Sequence, residues 1–281
     1  MNEADSGAAM VAPDPAQAPV PASAAASVVA LTVSYDGSRF AGFARQPGLR
    51  TVQGQLEGAL STVLRREVLT TGAGRTDAGV HALGQVVSFE VDGTGPPDST
   101  LVRSVNALVG EGIVVTAVRH AHAGFSARHS ALAREYRYRV VCGAVPPLFL
   151  APTAWWVKRD LEVAAMCAGA AYLIGEHDFR SFCVAESAEG KRSFRRLDTV
   201  EIAPERALGE ECLAVRVVGN AFLHSMVRVI VGSLVEVGAG RRSPAWIAEA
   251  LAACTRPAAG PTAPAHGLTL WSVRYPEECW L

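Results

Sequence analysis

One short stretch concentrates the side chains able to do chemistry: residues 72–89, GAGRTDAGVHALGQVVSF. Asp77 supplies a carboxylate, which can serve as a covalent nucleophile or as a base. Arg75, two positions earlier, can pair with it and keep it ionised and oriented. Gly74 and Gly79 bracket the two. Glycine reaches positive φ and lets other backbone come close, so this composition suits a constrained loop that faces a ligand. An isolated Gly-Arg-Thr-Asp run is more often a turn in which the Asp bonds its own backbone, so the chemistry needs support from the rest of the chain. Two glycine motifs are excluded. A dinucleotide loop requires a third glycine where Asp77 stands, and a P-loop requires Lys-Ser/Thr where Val80 and His81 follow.

The elements that must hold this loop follow from hydrophobic periodicity. Residues 28–35 (VVALTVSY) read as a strand closed by the turn Asp36-Gly37. Residues 39–48 mix aromatics, arginines and breakers and read as a loop. Val52, Leu56, Ala59, Leu60, Val63 and Leu64 recur at helical spacing over residues 51–66, with Thr51 as N-cap. The apolar pair Val86-Val87 marks a buried strand after the loop. A second helix is expected over 99–109, and strands over 113–119 and 134–141. In the last of these Tyr136 and Tyr138 share one face, with Arg137 and Arg139 on the other. Aromatics alternating with arginines suit contact with bases and phosphates, though an ordinary edge strand reads the same way.

Further on, a helix is expected over 161–173, a polar-aromatic loop over 175–182, and a basic run over 191–196 containing Arg192, Arg195 and Arg196. Val200 and Ile202 mark one strand; Leu213, Val215 and Val217 alternate on the next. Residues 221–237 are apolar almost all round, which predicts a core helix, with His224 and Arg228 one turn apart on one face. A helix over 243–254 and a strand over 268–273 complete the chain. Helices mixed with consecutive strands predict an α+β fold with an antiparallel sheet.

Composition narrows the class. The 281 residues are 49% hydrophobic, enough for one large composite or two domains. The most apolar stretch is interrupted by His224, Arg228 and Glu236, so no membrane span is expected. Residues 1–27 are rich in Ala, Pro and Ser and predict a disordered tail without the features of a secretory signal. Net charge is −1; the tail holds Glu3, Asp5 and Asp14 and no base, so subtracting it leaves +2. A polyanion would therefore have to meet local patches. Of the 26 basic residues only Lys158 and Lys191 are lysines, and arginine's planar fork suits phosphate, although a GC-rich genome accounts for that bias equally well. The six cysteines form no CxxC pair and read as free thiols of a reducing cytoplasm. His120 and His122 lack a third ligand and read as surface residues, so no metal is expected.

Taken in order, Tyr35-Asp36-Gly37, Thr51-Val52-Gln53, the run Gly74 to Ala82, Phe125-Ser126-Ala127-Arg128, Arg134-Glu135-Tyr136-Arg137-Tyr138, Gly175-Glu176-His177-Asp178-Phe179 and Asn220-Ala221-Phe222-Leu223-His224 with Met226-Val227-Arg228 resemble the TruA-type tRNA pseudouridine synthases. The resemblance spans residues 28–276. It implies the pseudouridine synthase fold: two similar α/β halves, residues 28–142 and 143–281, sharing an extended antiparallel sheet with a central catalytic cleft. It implies isomerisation of uridine to pseudouridine at positions 38, 39 and 40 of the tRNA anticodon arm, without cofactor or metal, by a cytoplasmic homodimer. Asp77 matches the essential aspartate; attack at C1′, attack at C6 and base catalysis at the sugar all remain open to it. Tyr136 matches the tyrosine that stacks on the target uracil, and its hydroxyl could assist deprotonation at C5. Arg75 is the expected partner of Asp77 and a substrate contact. Arg128, Arg228 and His224, with Arg137, Arg139, Arg192, Arg195 and Arg196, are the RNA-binding candidates. Phe43 stands where the family usually has Trp, and Ser225 replaces a second histidine, which puts an RNA contact there in doubt.

A non-catalytic RNA-binding module would not need Asp77 and Tyr136 together. A carboxylate hydrolase would need a second acid that the loop lacks, and a zinc deaminase would need paired cysteines and a His-x-Glu element that are missing.

Overall fold

The computed structural model describes residues 27–91, 95–184 and 192–281. Nearly all of the predicted tail, and Lys191 of the basic run, lie outside the described residues. The strands are β1 (Ser27–Tyr35), β2 (Thr71–Gly72), β3 (His81–Val91), β4 (Ile113–Ala121), β5 (Ala133–Cys142), β6 (Trp155–Val157), β7 (Gly175–Asp178), β8 (Phe194–Ala207), β9 (Glu210–Gly219) and β10 (Leu268–Arg274). The helices are α1 (Val52–Leu64), α2 (Asp98–Leu108), α3 (Val163–Ala171), α4 (Met226–Gly238) and α5 (Trp246–Ala253).

All ten strands form one sheet in the order β4-β1-β3-β10-β5-β9-β8-β7, with β2 on β3 and β6 on β5. The pairs are antiparallel except β5 with β6 and the joint of β10 with β3. This is the expected α+β fold with a largely antiparallel sheet. The β3–β10 joint holds only Thr269↔His81 and Leu270↔Ala82. Beyond it the two backbones stay in close contact: a Cβ on Gly84 would come within 2.4 Å of the Trp271 carbonyl oxygen. The Asp77 loop ends where this joint begins, so it sits where the last strand of the chain is inserted into the middle of the sheet.

One face of the sheet carries the main core. Val29, Leu31 and Val33 of β1, Val87 and Phe89 of β3, Tyr136 and Tyr138 of β5, and Val215 and Val217 of β9 alternate onto it and meet Leu56 and Leu60 of α1 and the buried side of α4. The period-2 pattern thus sets which side chains face the helices. Every residue of α4 is buried except Arg228 and Glu236, as an all-round apolar helix requires. Glu236 is held by Arg241 at 2.6 and 2.7 Å.

Three expectations need correction. Residues 175–178 are not loop but β7, an edge strand in register with β8 through His177↔Arg195; backbone pairing, not apolar alternation, makes it a strand. Helix α4 begins at Met226 rather than at residue 221, because Ser225 lies in the left-handed region with φ 58°. His224 therefore precedes the helix. Finally, β3 starts at His81, five residues before its apolar pair.

Candidate active site

The Asp77 loop is fastened at almost every residue. The Ala73 amide donates to Val86 O at 2.8 Å, and the Ala73 carbonyl accepts from Arg134 Nη2 at 2.9 Å and Nε at 3.1 Å. The Gly74 carbonyl accepts from buried Gln85 Nε2 at 2.8 Å. Thr76 Oγ1 shares a 2.8 Å hydrogen bond with Tyr35 Oη, and its carbonyl accepts from Phe43 N at 3.1 Å. Val80 N closes the turn onto Asp77 O at 3.1 Å, with Gly79 at φ 81° supplying the positive φ. Gly74 keeps negative φ; there the missing side chain gives room to Tyr136, whose Oη would lie 3.4 Å from a Cβ.

The start of α1 anchors the chain just before this loop, at Thr70. Thr51 caps the helix, accepting from Gly54 N at 3.3 Å. Gln53 donates to Thr70 O at 2.9 Å, and buried Glu57 accepts from Thr70 N at 2.9 Å. Phe43, 2% exposed, packs its ring where a Cβ on Gly72 would stand, 2.4 Å away.

Asp77 opens into a cleft of about 400 Å³ whose lining also includes Tyr136, Arg75, Arg128, His224 and Ser225. Its partner is not Arg75, which is exposed and makes no hydrogen bond or ion pair among the described residues. Thr76, the residue between them, points into the core to meet Tyr35. Arg228 takes the role instead: Nη1 donates to Asp77 Oδ2 at 2.7 Å, while Nε donates to Ala263 O at 2.8 Å and fixes the guanidinium plane. Ser225 Oγ donates to the same Oδ2 at 2.8 Å. His224 Nε2 lies 3.3 Å from Oδ1 on a side chain that is 54% exposed. So the carboxylate is paired across the cleft by the residues at the start of α4, where the helix N-terminus also favours negative charge.

Tyr136 lines the cleft edge-on to Phe222, with ring centroids 5.0 Å apart and planes at 79°. Burial pushes its hydroxyl well above the ordinary tyrosine range, and nearby Tyr35 and Asp77 push the same way. It is therefore a neutral phenol near pH 7. It offers the cleft a ring and a hydroxyl.

Arg134 was not singled out by sequence, yet it is the hub of the site. It is 8% exposed, and besides Ala73 O it donates through Nη1 to Asn220 O at 2.6 Å and through Nη2 to Arg128 O at 2.5 Å. Burial pulls its guanidinium below the usual arginine value, with Tyr275 and Tyr136 opposing. It shares a face with Tyr136, which is the signal that the strand's alternation contained.

The remaining candidates divide by position. Arg128 is exposed at the cleft, and Arg195 lines it half-buried, its Nη1 donating to Arg192 O at 2.9 Å and Phe194 O at 2.6 Å. Arg137 and Arg139 are on the opposite face of β5: Arg137 pairs with Glu135 at 2.8 Å and stacks over Trp271 at 3.9 Å, and Arg139 pairs with Glu205 at 2.7 Å. Arg192 and Arg196 lie outside the cleft lining, beside Glu176 at 3.9 Å and Asp198 at 2.9 Å. His120 pairs with Asp98 at 2.8 Å, and His122 is exposed. Among the described residues no cluster of three metal-ligating side chains occurs, and no helix is long and apolar enough to cross a membrane.

Residues 31–112 and 170–276 match the family described as tRNA pseudouridine synthase. A tRNA pseudouridine synthase A of Brevibacillus brevis is 45% identical over 244 residues, which cover 86% of this chain and 97% of that protein. The protein of the same name from Frankia casuarinae is 45% identical over 253 residues, covering 88% and 89%. That of Geobacillus kaustophilus is 43% identical over 252 residues, covering 88% and 94%.

Proposed function

The chain belongs to the tRNA pseudouridine synthase A family of intramolecular isomerases, and from that premise we propose that it converts uridines 38, 39 and 40 of the tRNA anticodon arm to pseudouridine with Asp77 as nucleophile. The observation that carries this reading is the Asp77 carboxylate, held by Arg228 and Ser225 in a cleft it shares with Tyr136. In the isomerisation the N1–C1′ bond breaks, the uracil turns, C5 bonds to C1′, the C5 proton leaves to solvent and N1 takes up a proton. A carboxylate suits this chemistry because it can bond reversibly to an electrophilic carbon of the sugar or the base. Residues 28–142 supply Asp77 and Tyr136 to the cleft, and residues 143–281 supply Arg228 and Ser225.

The target base has to leave its stack to reach Asp77, and the flat ring of Tyr136 is the surface on which it would rest. Arg75, Arg128 and Arg195 give the cleft a local excess of positive charge that a near-neutral chain otherwise lacks; this suits phosphate contacts that position an RNA without reading its sequence. The homodimer belongs to the same proposal.

The direct experiment uses tRNA carrying tritium at uridine C5. Intact protein is expected to release tritium from tRNA with uridine at 38, 39 or 40 and none when those positions are cytidine. Release that persists from the substituted tRNA would overturn the site assignment, and absence of release from both would overturn the isomerase. Tyr136 gives a second test. Tyr136→Phe retains the ring and is expected to lose less than about tenfold in single-turnover rate, whereas Tyr136→Leu loses roughly 10- to 100-fold, since base stacking on an aromatic ring contributes about 1–3 kcal/mol. Equal losses in the two variants would move the role from the ring to the hydroxyl.

A further inference from the structure

Ser225 stands at the N-cap of α4 with φ 58° and ψ 11°. A capping serine ordinarily sits in extended backbone and accepts from the amides of its own helix two or three residues on. This one makes no cap bond to its helix. Its hydroxyl instead donates 2.8 Å to Oδ2 of Asp77, 148 residues away in the chain. A left-handed backbone is disfavoured for any residue with a Cβ, and serine is neither glycine nor asparagine. In this conformation the hydroxyl reaches Asp77 rather than the amides of its own helix.

The two oxygens of Asp77 are consequently unlike. Oδ2 receives two fixed donors, Ser225 Oγ at 2.8 Å and Arg228 Nη1 at 2.7 Å. Among the described residues Oδ1 faces only the His224 ring, 3.3 Å away on a side chain that is 54% exposed. We propose that Ser225 is a positioning residue: with Arg228 it immobilises Oδ2 and so presents Oδ1 to the target uridine. This rests on Asp77 being the nucleophile. A lone pair of Oδ1 forms the new O–C bond. The displaced electron pair passes to uracil N1 if C1′ is attacked, or through C5 to the C4 carbonyl oxygen if C6 is attacked. Oδ2 becomes the carbonyl oxygen of the resulting ester and still accepts from both donors. When the ester is released the electron pair returns to Oδ1, with the carboxylate in its original orientation.

Ser225→Gly separates this role from a backbone role, because glycine adopts φ 58° without strain but has no hydroxyl. The measurements are single-turnover tritium release at saturating tRNA, tRNA affinity by filter binding, and thermal unfolding. The expected result is a rate lowered roughly 10- to 100-fold, the scale of a lost hydrogen bond to a charged group, with affinity within about twofold and a melting temperature no lower than that of the intact protein. Ser225→Ala, measured at a temperature where it is folded, should show the same loss of rate. A Ser225→Gly rate within about twofold of the intact protein would overturn the proposal. Asp77→Asn, measured alongside, keeps the two readings apart. If Asp77→Asn is inactive while Ser225→Gly is normal, only the Ser225 proposal fails; if Asp77→Asn still releases tritium, the nucleophile and the Ser225 proposal fall together.

Discussion

Asp77→Asn is expected to abolish tritium release from tRNA, with the single-turnover rate falling by roughly 10⁴-fold or more, the scale seen when a covalent nucleophile is removed. The loss should be confined to chemistry. Asparagine has nearly the same shape as aspartate, and its amide oxygen can still accept from Arg228 Nη1 and Ser225 Oγ, which now hold Oδ2 at 2.7 and 2.8 Å. The loop itself is fastened by groups that the substitution leaves alone: Arg134 on Ala73 O, Gln85 on Gly74 O, and Tyr35 on Thr76 Oγ1. Folding should therefore survive, at a cost of about 1–2 kcal/mol for weakening a half-buried charge pair. The tRNA should still bind, because the surrounding arginines are unchanged. Filter binding and thermal unfolding measured beside the tritium assay check both points. A variant that is folded, binds tRNA and still releases tritium at more than about a hundredth of the intact rate would remove Asp77 from the role of nucleophile.

The parts of this site that sequence made legible are those whose type and local spacing carry the message. Gly74 and Gly79 mark a constrained loop around Asp77, and alternation puts Tyr136 opposite Arg137 on a strand, but only the ordered set of motifs along the chain made either residue a candidate. The core helix was legible because its apolar side chains leave only Arg228 and Glu236 outside the burial pattern. What could not be read are pairings across long stretches of chain. Arg75 is two residues from Asp77 and Arg228 is 151, yet Arg228 makes the ion pair; Thr76 turns inward to Tyr35, and Arg75 is left in solvent. The diversion of Ser225 was hidden because the apolar period of α4 continues backwards through residues 221–223, and nothing local marks a left-handed residue that interrupts it. Strand β7 was hidden for the opposite reason: Gly175-Glu176-His177-Asp178 has no apolar alternation, and only its pairing with β8 makes it a strand. Arg134 was within reach, since the alternation that puts Tyr136 and Tyr138 on the core face puts residue 134 there too.

That placement makes Arg134 the residue whose loss should do the most structural damage. Its guanidinium serves the carbonyls of Ala73, Arg128 and Asn220 from a position only 8% exposed, and among the described residues no carboxylate pairs with it. These carbonyls belong to three separate segments: the Asp77 loop, the Phe125 to Arg128 segment and the turn that leads to His224 and Ser225. Arg134→Met fills much of the volume but leaves three inward-facing carbonyls without donors, each costing about 1–3 kcal/mol if water does not replace the arginine. With partial relief from water, the expected loss is about 3–5 kcal/mol, or roughly 10 °C in melting temperature for a domain of this size. Activity should fall further than stability implies, because Asp77 and the Arg228–Ser225 pair are carried on two of the segments that come apart, and a displacement of about 1 Å at reacting atoms costs on the order of 100-fold in rate. Arg134→Lys, with one ammonium to spread over three carbonyls in a planar fork's place, should recover part of the stability and less of the rate. Thermal unfolding and single-turnover tritium release at a temperature where all variants are folded would test this. A melting temperature for Arg134→Met within about 2 °C of the intact protein would mean that the three segments are held by other contacts, and the site would then owe its geometry to the Gln85, Tyr35 and Arg228 bonds alone.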